Sequence, residues 1–554
     1  MTDLRPAPGP PPAAAASLPA SVQVVIAGGG PAGLAAAVEL GQRGVRSLVV
    51  EPRLTVSRAR PRCKTINVRS MEHLRRWGIA GRLRERAPLP VSWSQDIVFC
   101  TSLAGRELSR FTGVLGLVPE GDRFPEPGQQ APQYVLEELL RDVVCELPAC
   151  TLAAGTKVEA VAQDGGEARV TVADQQGERA VVTAQYVLGC DGPRSTVREQ
   201  IGSAYSGERA LRPNFGMVFR APGLWRHVRH GPAVQYWTVN PAAPALMGPI
   251  DLSGTWWIIA FGVDRGTGER QSRQIIDAAA GVPVDATVLS TDPWTARMQI
   301  ADRMRAGRVF LAGDAAHLNP PFGGHGLNTG LGDAVDLGWK IAAVLDGWGG
   351  PALLDSYEIE RRPIQERVIA EAAANMSVLS TELLASNLEH DDAAGDRARH
   401  AAGARIQETK MAEFHSLGLV LGLGISGSPV VAADLAAPLG DHPGPAAGTG
   451  AQPGARLPHA WLGGGRSLYD ELGPGLTLLA LGPGRHEAIA AAARARSVPL
   501  TLIDLSARSM RGRYGADLVL VRPDQYVVWR GDNTPGDELT LIDRIRGSAE
   551  RSRP

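Results

Sequence analysis

The sequence predicts an α/β (α+β) fold built around a doubly wound, Rossmann-like domain, and three observations predict it. Residues 22–27, Val-Gln-Val-Val-Ile-Ala, are apolar but for Gln23, as expected of a largely buried strand. That run enters Gly28-Gly29-Gly30-Pro31-Ala32-Gly33, and a helical stretch over residues 34–40 follows. The next apolar run, Leu48-Val49-Val50, ends in Glu51, roughly 20 residues beyond Gly28.

Each piece has a physical role. Gly28 allows a tight turn, Gly30 lets the backbone approach a pyrophosphate, and Gly33 lets helix and strand pack closely. Pro31 and Ala32 complete the set of turn residues expected against a cofactor. The helix N-terminus presents unpaired N–H groups and partial positive charge to phosphates. Glu51 is placed to accept hydrogen bonds from an adenosine ribose. The arrangement is that of a dinucleotide site and does not by itself separate NAD from FAD.

The remaining composition narrows the class. A chain of 554 residues accommodates two to four domains. The formal net charge is −1 and the charges are interspersed, so no field draws the chain to nucleic acid or a membrane surface. Cys63, Cys100, Cys145, Cys150 and Cys190 form no CxxC and pair with no histidine at ligand spacing. No metal site is expected from them, and reduced thiols in a cytoplasm are. Residues 1–20, rich in Pro and Ala, read as a disordered tail without signal-peptide pattern. No run approaches the ~20 apolar residues that span a bilayer.

Two further motifs follow. Residues 309–312 read as a buried strand ending in Gly313-Asp314. Pro320-Pro321, the loop Phe322-Gly323-Gly324-His325-Gly326 and a long helix over residues 327–345 come next. An acid at a strand end can hold a polyol, and the glycines let a flat ring lie against backbone. The helix start near Gly326, Leu327 and Asn328 aims positive charge at whatever sits there. For an anionic reduced flavin that contact is worth roughly 1–2 kcal/mol. Residues 186–198 repeat the strand, Asp-Gly turn, helix pattern. Asp191 is read either as acting near the pyrophosphate or as a plain β-turn residue.

In this order and spacing the three motifs resemble the single-component flavoprotein aromatic hydroxylases, the group of p-hydroxybenzoate hydroxylase and phenol hydroxylase. The likeness spans residues 21–372, and the stretch from Gly313 through Asp333-Ala334 to Trp339-Lys340 carries it most closely. The resemblance implies a tightly bound FAD, NAD(P)H as a transient co-substrate, and O₂. It implies hydroxylation of a phenolic or polyketide-derived ring through a flavin C4a-hydroperoxide. By position, Arg60 and Arg62 close over the FAD phosphates, and Gln133 and Asp314 lie along the ribityl chain. Pro320 and Pro321 lie against the isoalloxazine, while His325 stands where many relatives carry Gln. Lys64 has two readings: attracting a substrate carboxylate or phenolate, or joining the cluster over the phosphates.

The expected domains are a discontinuous FAD-binding domain (residues 21–105, 131–205 and 295–390) and an inserted substrate-binding sheet domain (106–130 and 206–294). A helical segment and linker (391–450) and a thioredoxin-like C-terminal domain (451–554) complete the chain. Residues 215–220, 234–239 and 255–260 alternate as strands. Tyr236 and Met217 are expected to touch substrate, with Trp256 and Trp257 as core and rim of the sheet. There is no second GxGxxG; Gly482-Pro483-Gly484 reads as a turn, so NAD(P)H must dock over the FAD domain. No cysteine follows Cys190, which excludes dithiol chemistry in the C-terminal domain and leaves packing or homodimerisation. Rival readings keep the fold but perform Baeyer–Villiger oxidation, epoxidation or quinone formation, or bind flavin as an accessory protein without oxygenase activity.

Overall fold

The computed structural model describes residues 11–60, 64–208, 212–377, 387–425, 427–432, 451–482 and 486–548. Its first sheet aligns five parallel strands in the order Cys150–Ala154, Ser47–Glu51, Ser21–Ala27, Arg179–Gly189 and Val309–Leu311. Chain order reverses between Ser21–Ala27 and Arg179–Gly189, which opens a crevice at their carboxyl ends. Ser47–Glu51, Val309–Leu311 and the later parts of Ser21–Ala27 and Arg179–Gly189 are buried on both faces, hence their Val, Ile, Leu and Ala runs. The helices that flank the two larger sheets include α1 (Pro31–Gly41), α2 (Val68–Arg76), α3 (Gln133–Glu146), α4 (Arg265–Ala280), α5 (His325–Leu345), α6 (Pro351–Ser377) and α7 (Ala393–Phe414). Helix α1 packs against both α3 and α5.

The second sheet has seven strands, in the order Thr287–Thr295, Pro213–Arg220, Thr255–Phe261, Ala245–Pro249, Gln235–Thr238, Ile97–Cys100 and Glu107–Phe111. Ile97–Cys100 lies within the span expected to belong to the first domain. Its four buried residues instead pair in parallel with Gln235–Thr238 and place it in the second sheet. The tail also departs from expectation over residues 11–20. Ala13 N–H donates to the Ala154 carbonyl at 2.9 Å and Ala15 N–H to Asp174 Oδ2 at 3.0 Å, so this part is packed rather than disordered. Residues 1–10 of that tail, and residues 438–450 of the expected linker, lie outside the described residues, as do Pro483 and Gly484.

The C-terminal domain is a thioredoxin-like arrangement. Leu476–Ala480 and Leu500–Asp504 are parallel around the helix Glu487–Ala495, and Leu518–Val521 and Val527–Gly531 extend the sheet antiparallel. Apolar residues of this domain share a core with Trp339 and Ala343 of α5 and Leu353 and Ile364 of α6. A buried charge cluster crosses the same boundary. Arg522 reaches Glu360 at 2.8 Å and Asp336 at 3.2 Å, and Lys340 donates to Asp336 at 2.9 Å and Glu360 at 2.7 Å. Among the described residues no helix is long and apolar enough to cross a membrane.

Candidate active site

The glycine turn sits in the crevice. Gly28 adopts φ +102°, a left-handed conformation, and a Cβ there would collide with the Cys190 carbonyl. A Cβ on Gly33 would collide with the Gly28 carbonyl, so α1 can approach the strand only with glycine at that point. Gly30 differs: no atom lies within 4 Å of the place its Cβ would occupy. The turn is therefore closed on its protein side and open on the side where a pyrophosphate would approach. Pro31 opens α1 with Gly30 as its N-cap and Ala32 next in line, leaving first-turn N–H groups free of helical partners.

Glu51 is buried, and its Oε2 accepts the Gly29 N–H at 2.7 Å. Oε1 accepts the backbone N–H of Arg53 at 2.9 Å and its Nε at 2.7 Å. A carboxylate has about four acceptor positions, so one remains for a ribose hydroxyl. Arg53 continues to Glu137 at 2.9 Å, and Glu137 accepts Gln133 Nε2 at 3.2 Å. One polar chain thus joins Glu51 to Gln133, residues far apart in sequence. Its middle members, Arg53 and Glu137, were not expected from the sequence; the Glu at the fourth residue after Gln133 on a helix was the available signal.

Asp191 takes up both carboxylate oxygens locally, from the Ser195 hydroxyl and from Val197 N–H at 3.1 Å. Burial pushes its pKa above the ordinary carboxylate value. Its place beside Gly28 keeps it against the nucleotide turn, where it supports the first turn of the helix Thr196–Gln200, whose N-cap is Ser195. Asp314 stands exposed at the end of Val309–Leu311, and its backbone carbonyl accepts the Tyr205 hydroxyl. Gly313, at φ +58°, lies under Ala32 of α1, and Gly330 of α5 packs against Gly313 Cα. The starts of α1 and α5 therefore converge on the Gly-Asp turn.

The first turn of α5 is open as well: the nearest atom to a Cβ on Gly326 would be Asn319 Cβ at 3.9 Å. The N–H groups of His325, Gly326 and Leu327 have no carbonyl one turn earlier in the helix. Asn328 was expected against the cofactor, but its side chain is consumed inside the protein. Oδ1 accepts from Asn67 N–H at 2.9 Å and Ser70 at 2.7 Å, and Nδ2 donates to Thr65 and Gly324 carbonyls at 2.9 and 2.7 Å. It ties α5 to α2 and to the strand Thr65–Ile66. His325 is buried, its Nε2 has no partner, and burial lowers its pKa to about 4, so the ring is neutral.

The second sheet shows its two faces to different neighbours. Tyr236, Met217, Trp256 and Ile258 pack with Ile275, Ile276 and Ala279 of α4. Trp237 and Phe261 pack with Phe322 from the turn before α5, and Lys64 lies over the Trp257 ring. Tyr236 and Met217 are therefore corrected: they occupy the face turned away from the α5 start. Tyr236 donates to the Gly231 carbonyl at 2.5 Å and accepts from Ala233 N–H at 2.9 Å, a structural pairing. The neighbours in sequence, Trp237 and Val218, take the near face because successive residues on a strand point oppositely. The indole N–H groups of Trp237 and Trp257 are buried without a hydrogen-bond partner.

Arg60 pairs with Asp292 of Thr287–Thr295 at 3.2 Å, linking the first domain to the sheet's edge strand. Arg62 lies outside the described residues. Pro320 is buried and Pro321 exposed, directly ahead of the Phe322–Gly324 turn. A buried triad that sequence patterns did not reveal supports the Gly313-Asp314 turn from behind: Asp333 accepts His317 Nε2 at 2.8 Å and Arg361 Nε at 2.8 Å.

An open glycine turn, a ribose-ready carboxylate and a second open helix start fit a dinucleotide that ends in a flat ring. FAD would be held by Gly28, Gly30, Pro31, Ala32, Gly33 and Glu51 at one end and by Gly313, Asp314, Gly326 and Leu327 at the other. This fold and site define a flavoprotein with an apolar sheet face set opposite the ring-binding end. Residues 21–372 match the FAD binding domain family, and residues 450–549 match the aromatic-ring hydroxylase C-terminal family. The chain belongs to the FAD-dependent aromatic-ring hydroxylases, a family of monooxygenases. A putative polyketide hydroxylase of Streptomyces halstedii is 33% identical over 93% of this chain and 95% of its own length. Tetracenomycin B2 monooxygenase-dioxygenase of Streptomyces olivaceus is 32% identical over 95% of this chain and 98% of its own. Among solved structures, RebC soaked with chromopyrrolic acid superposes with a TM-score of 0.89 at 33% identity, covering 96% of this chain and 100% of that one. Aklavinone-11 hydroxylase with FAD and aklavinone gives 0.79 at 28% identity, covering 95% and 98%.

Proposed function

We propose that the protein hydroxylates a phenolic or polyketide-derived aromatic compound, with NAD(P)H as reductant and O₂ as oxygen source. The observation that carries this reading is the aromatic Trp237–Trp257 face turned toward the Phe322 turn that begins α5, and the substrate ring is assigned to a gap between that face and the α5 start. One wall is aromatic and dry, and the other is the flavin-ring end of the cofactor site. Bound FAD supplies hydride acceptance and oxygen activation. The chain's own groups then orient and exclude. Lys64 over Trp257 draws a phenolate or carboxylate, the two unpaired indole N–H groups are donors for ring oxygens, and the α5 N-terminus holds negative charge on the flavin ring.

NAD(P)H is assigned to an open groove of about 380 Å³ whose lining includes Arg198, Tyr205, Arg297 and Gln299, with Glu199 as its one carboxylate. Neither guanidinium has a carboxylate partner among the described residues, and Tyr205 connects the groove to Asp314. The reading places the enzyme in a cytoplasm, where Cys100, Cys145, Cys150 and Cys190 stay thiols. The C-terminal domain's core against α5 and α6 supports packing within the chain as its role, ahead of homodimerisation. The test is NADH and NADPH oxidation by the purified, FAD-loaded protein against a panel of phenols and naphthoquinones, with ¹⁸O₂ and product mass. One labelled oxygen on an intact ring supports hydroxylation. Label in a lactone, an epoxide or a quinone assigns the corresponding alternative, and no substrate-stimulated oxidation with any compound removes the reading.

A further inference from the structure

Helix α7 carries a buried ion pair that the proposed reaction does not use. Lys410 and Glu413 lie one turn apart and both are buried. Lys410 Nζ donates to Glu413 Oε2 at 2.7 Å and to the Asn375 carbonyl of α6 at 2.7 Å. The ammonium stands 5.2 Å from the centre of the Trp237 ring and 6.0 Å from that of Phe322. The Gly323 N–H lies near enough to Glu413 to favour its charged form. Gly323 has φ +77°, and a Cβ on it would collide with the His325 ring, so the turn tolerates only glycine there. The other side of α7 is fastened to the second sheet. Gly403 lets it approach the Leu108 carbonyl, Gln407 Nε2 donates to Ser109 Oγ at 2.7 Å, and Phe414 packs on Phe111 and Trp237.

A buried ion pair is weak as a source of stability, since apolar residues of similar volume often serve as well. Its partners here indicate a geometric role. Glu413 lies beside the turn that begins α5, and Lys410 stands between Phe322 of that turn and Trp237 of the aromatic face. We propose that the Lys410–Glu413 pair positions the Phe322–Gly324 turn against Trp237 and so sets the width of the gap in which the substrate ring lies. Both are positioning residues, and the inference rests on the reading of that gap as the substrate site.

The test uses the full-length holoenzyme, Glu413→Gln, and the double variant Lys410→Met with Glu413→Leu. Glutamine keeps an oxygen for the Gly323 N–H, and the double variant removes both charges at similar volume. Amide hydrogen exchange of the peptide containing residues 322–326 reads the clamp without any substrate. In the double variant its exchange is expected to quicken by about tenfold or more. KM for a phenol turned over by the wild type should rise about tenfold, with kcat and FAD affinity within about threefold. Glu413→Gln should return exchange and KM to within about threefold of wild type. A folded, FAD-loaded double variant with wild-type exchange and KM overturns the proposal, as does failure of Gln to restore them. Should the double variant not fold, the wild type decides: rapid exchange of the Gly323 amide overturns the clamp, and strong protection, lost in no other way than by Glu413 substitution, supports it. Since exchange needs no turnover, failure of the clamp is distinguishable from failure of the hydroxylase reading.

Discussion

Asp333 accepts the backbone N–H of Gly313 at 3.0 Å, binding a residue two turns inside α5 to the Gly-Asp turn that α5 faces. The same carboxylate takes Arg361 from α6 and His317 from the following strand. Burial would raise its pKa, but Arg361 and His317 outweigh that and hold it at about 2. The Gly-Asp turn, proposed to face the flavin, is therefore a charged, dry joint rather than a loose loop.

Asp333→Asn should break that joint. Arg361 would be left buried with its charge unopposed, costing about 3–5 kcal/mol. FAD loading should fall with it, because Gly313 loses its anchor. Urea unfolding and the ratio of flavin to protein absorbance check both; wild-type values for the pair would contradict the role given to Asp333.

Two alanine substitutions in one turn should separate. Gly33→Ala forces a methyl into the Gly28 carbonyl and should destabilise even the apoprotein by about 1–3 kcal/mol. Gly30→Ala enters open space, so the apoprotein should unfold as the wild type does while FAD affinity drops about tenfold or more. Apoprotein melting and fluorescence titration with FAD distinguish them.

His325 should make stability fall in mild acid. Its folded pKa is about 4, below the ordinary 6.5, so the unfolded chain binds the proton first. The contribution is complete above pH 6.5 and is lost as pH falls to about 4, amounting to about 3 kcal/mol. His325→Gln should abolish that part of the pH dependence. Unfolding free energies of both proteins across this window provide the measurement, and parallel curves would reject it.

The two sheet faces should give opposite kinetics. Tyr236→Phe removes a buried hydroxyl from Gly231 and Ala233 and should cost about 1–3 kcal/mol of stability with KM unchanged. Trp257→Leu and Lys64→Met should raise substrate KM without loss of FAD. A Tyr236→Phe enzyme with altered KM, or a Lys64→Met enzyme with unaltered KM, would reverse the assignment of faces or of Lys64.

Much of the architecture is local pattern and could be read from the chain. The strand, Gly28–Gly33 turn and α1 follow from apolar continuity and glycine spacing, and Glu51 from its distance. The Gly313-Asp314 turn and α5 follow for the same reasons. The strand Ile97–Cys100 was misplaced because an apolar tetrapeptide carries no mark of which sheet it joins. Asn328 was taken for a cofactor contact because a polar residue at a helix start looks the same whether it faces a ligand or Thr65 and Asn67.

Spacing along the chain was sufficient to locate the Gly28–Gly33 turn, Glu51 and the Gly313-Asp314 turn, since these are set by backbone geometry within a few residues. The substrate face was different. Alternation shows that Tyr236 and Trp237 point to opposite sides of a sheet, yet both sides of this sheet are apolar. Which side meets α4 and which meets Phe322 depends on how two domains dock. The same holds for Asp333 with Gly313, for Arg522 with Glu360 and for Glu413 with Gly323, pairs whose members lie far apart in the chain and meet only once the protein is folded.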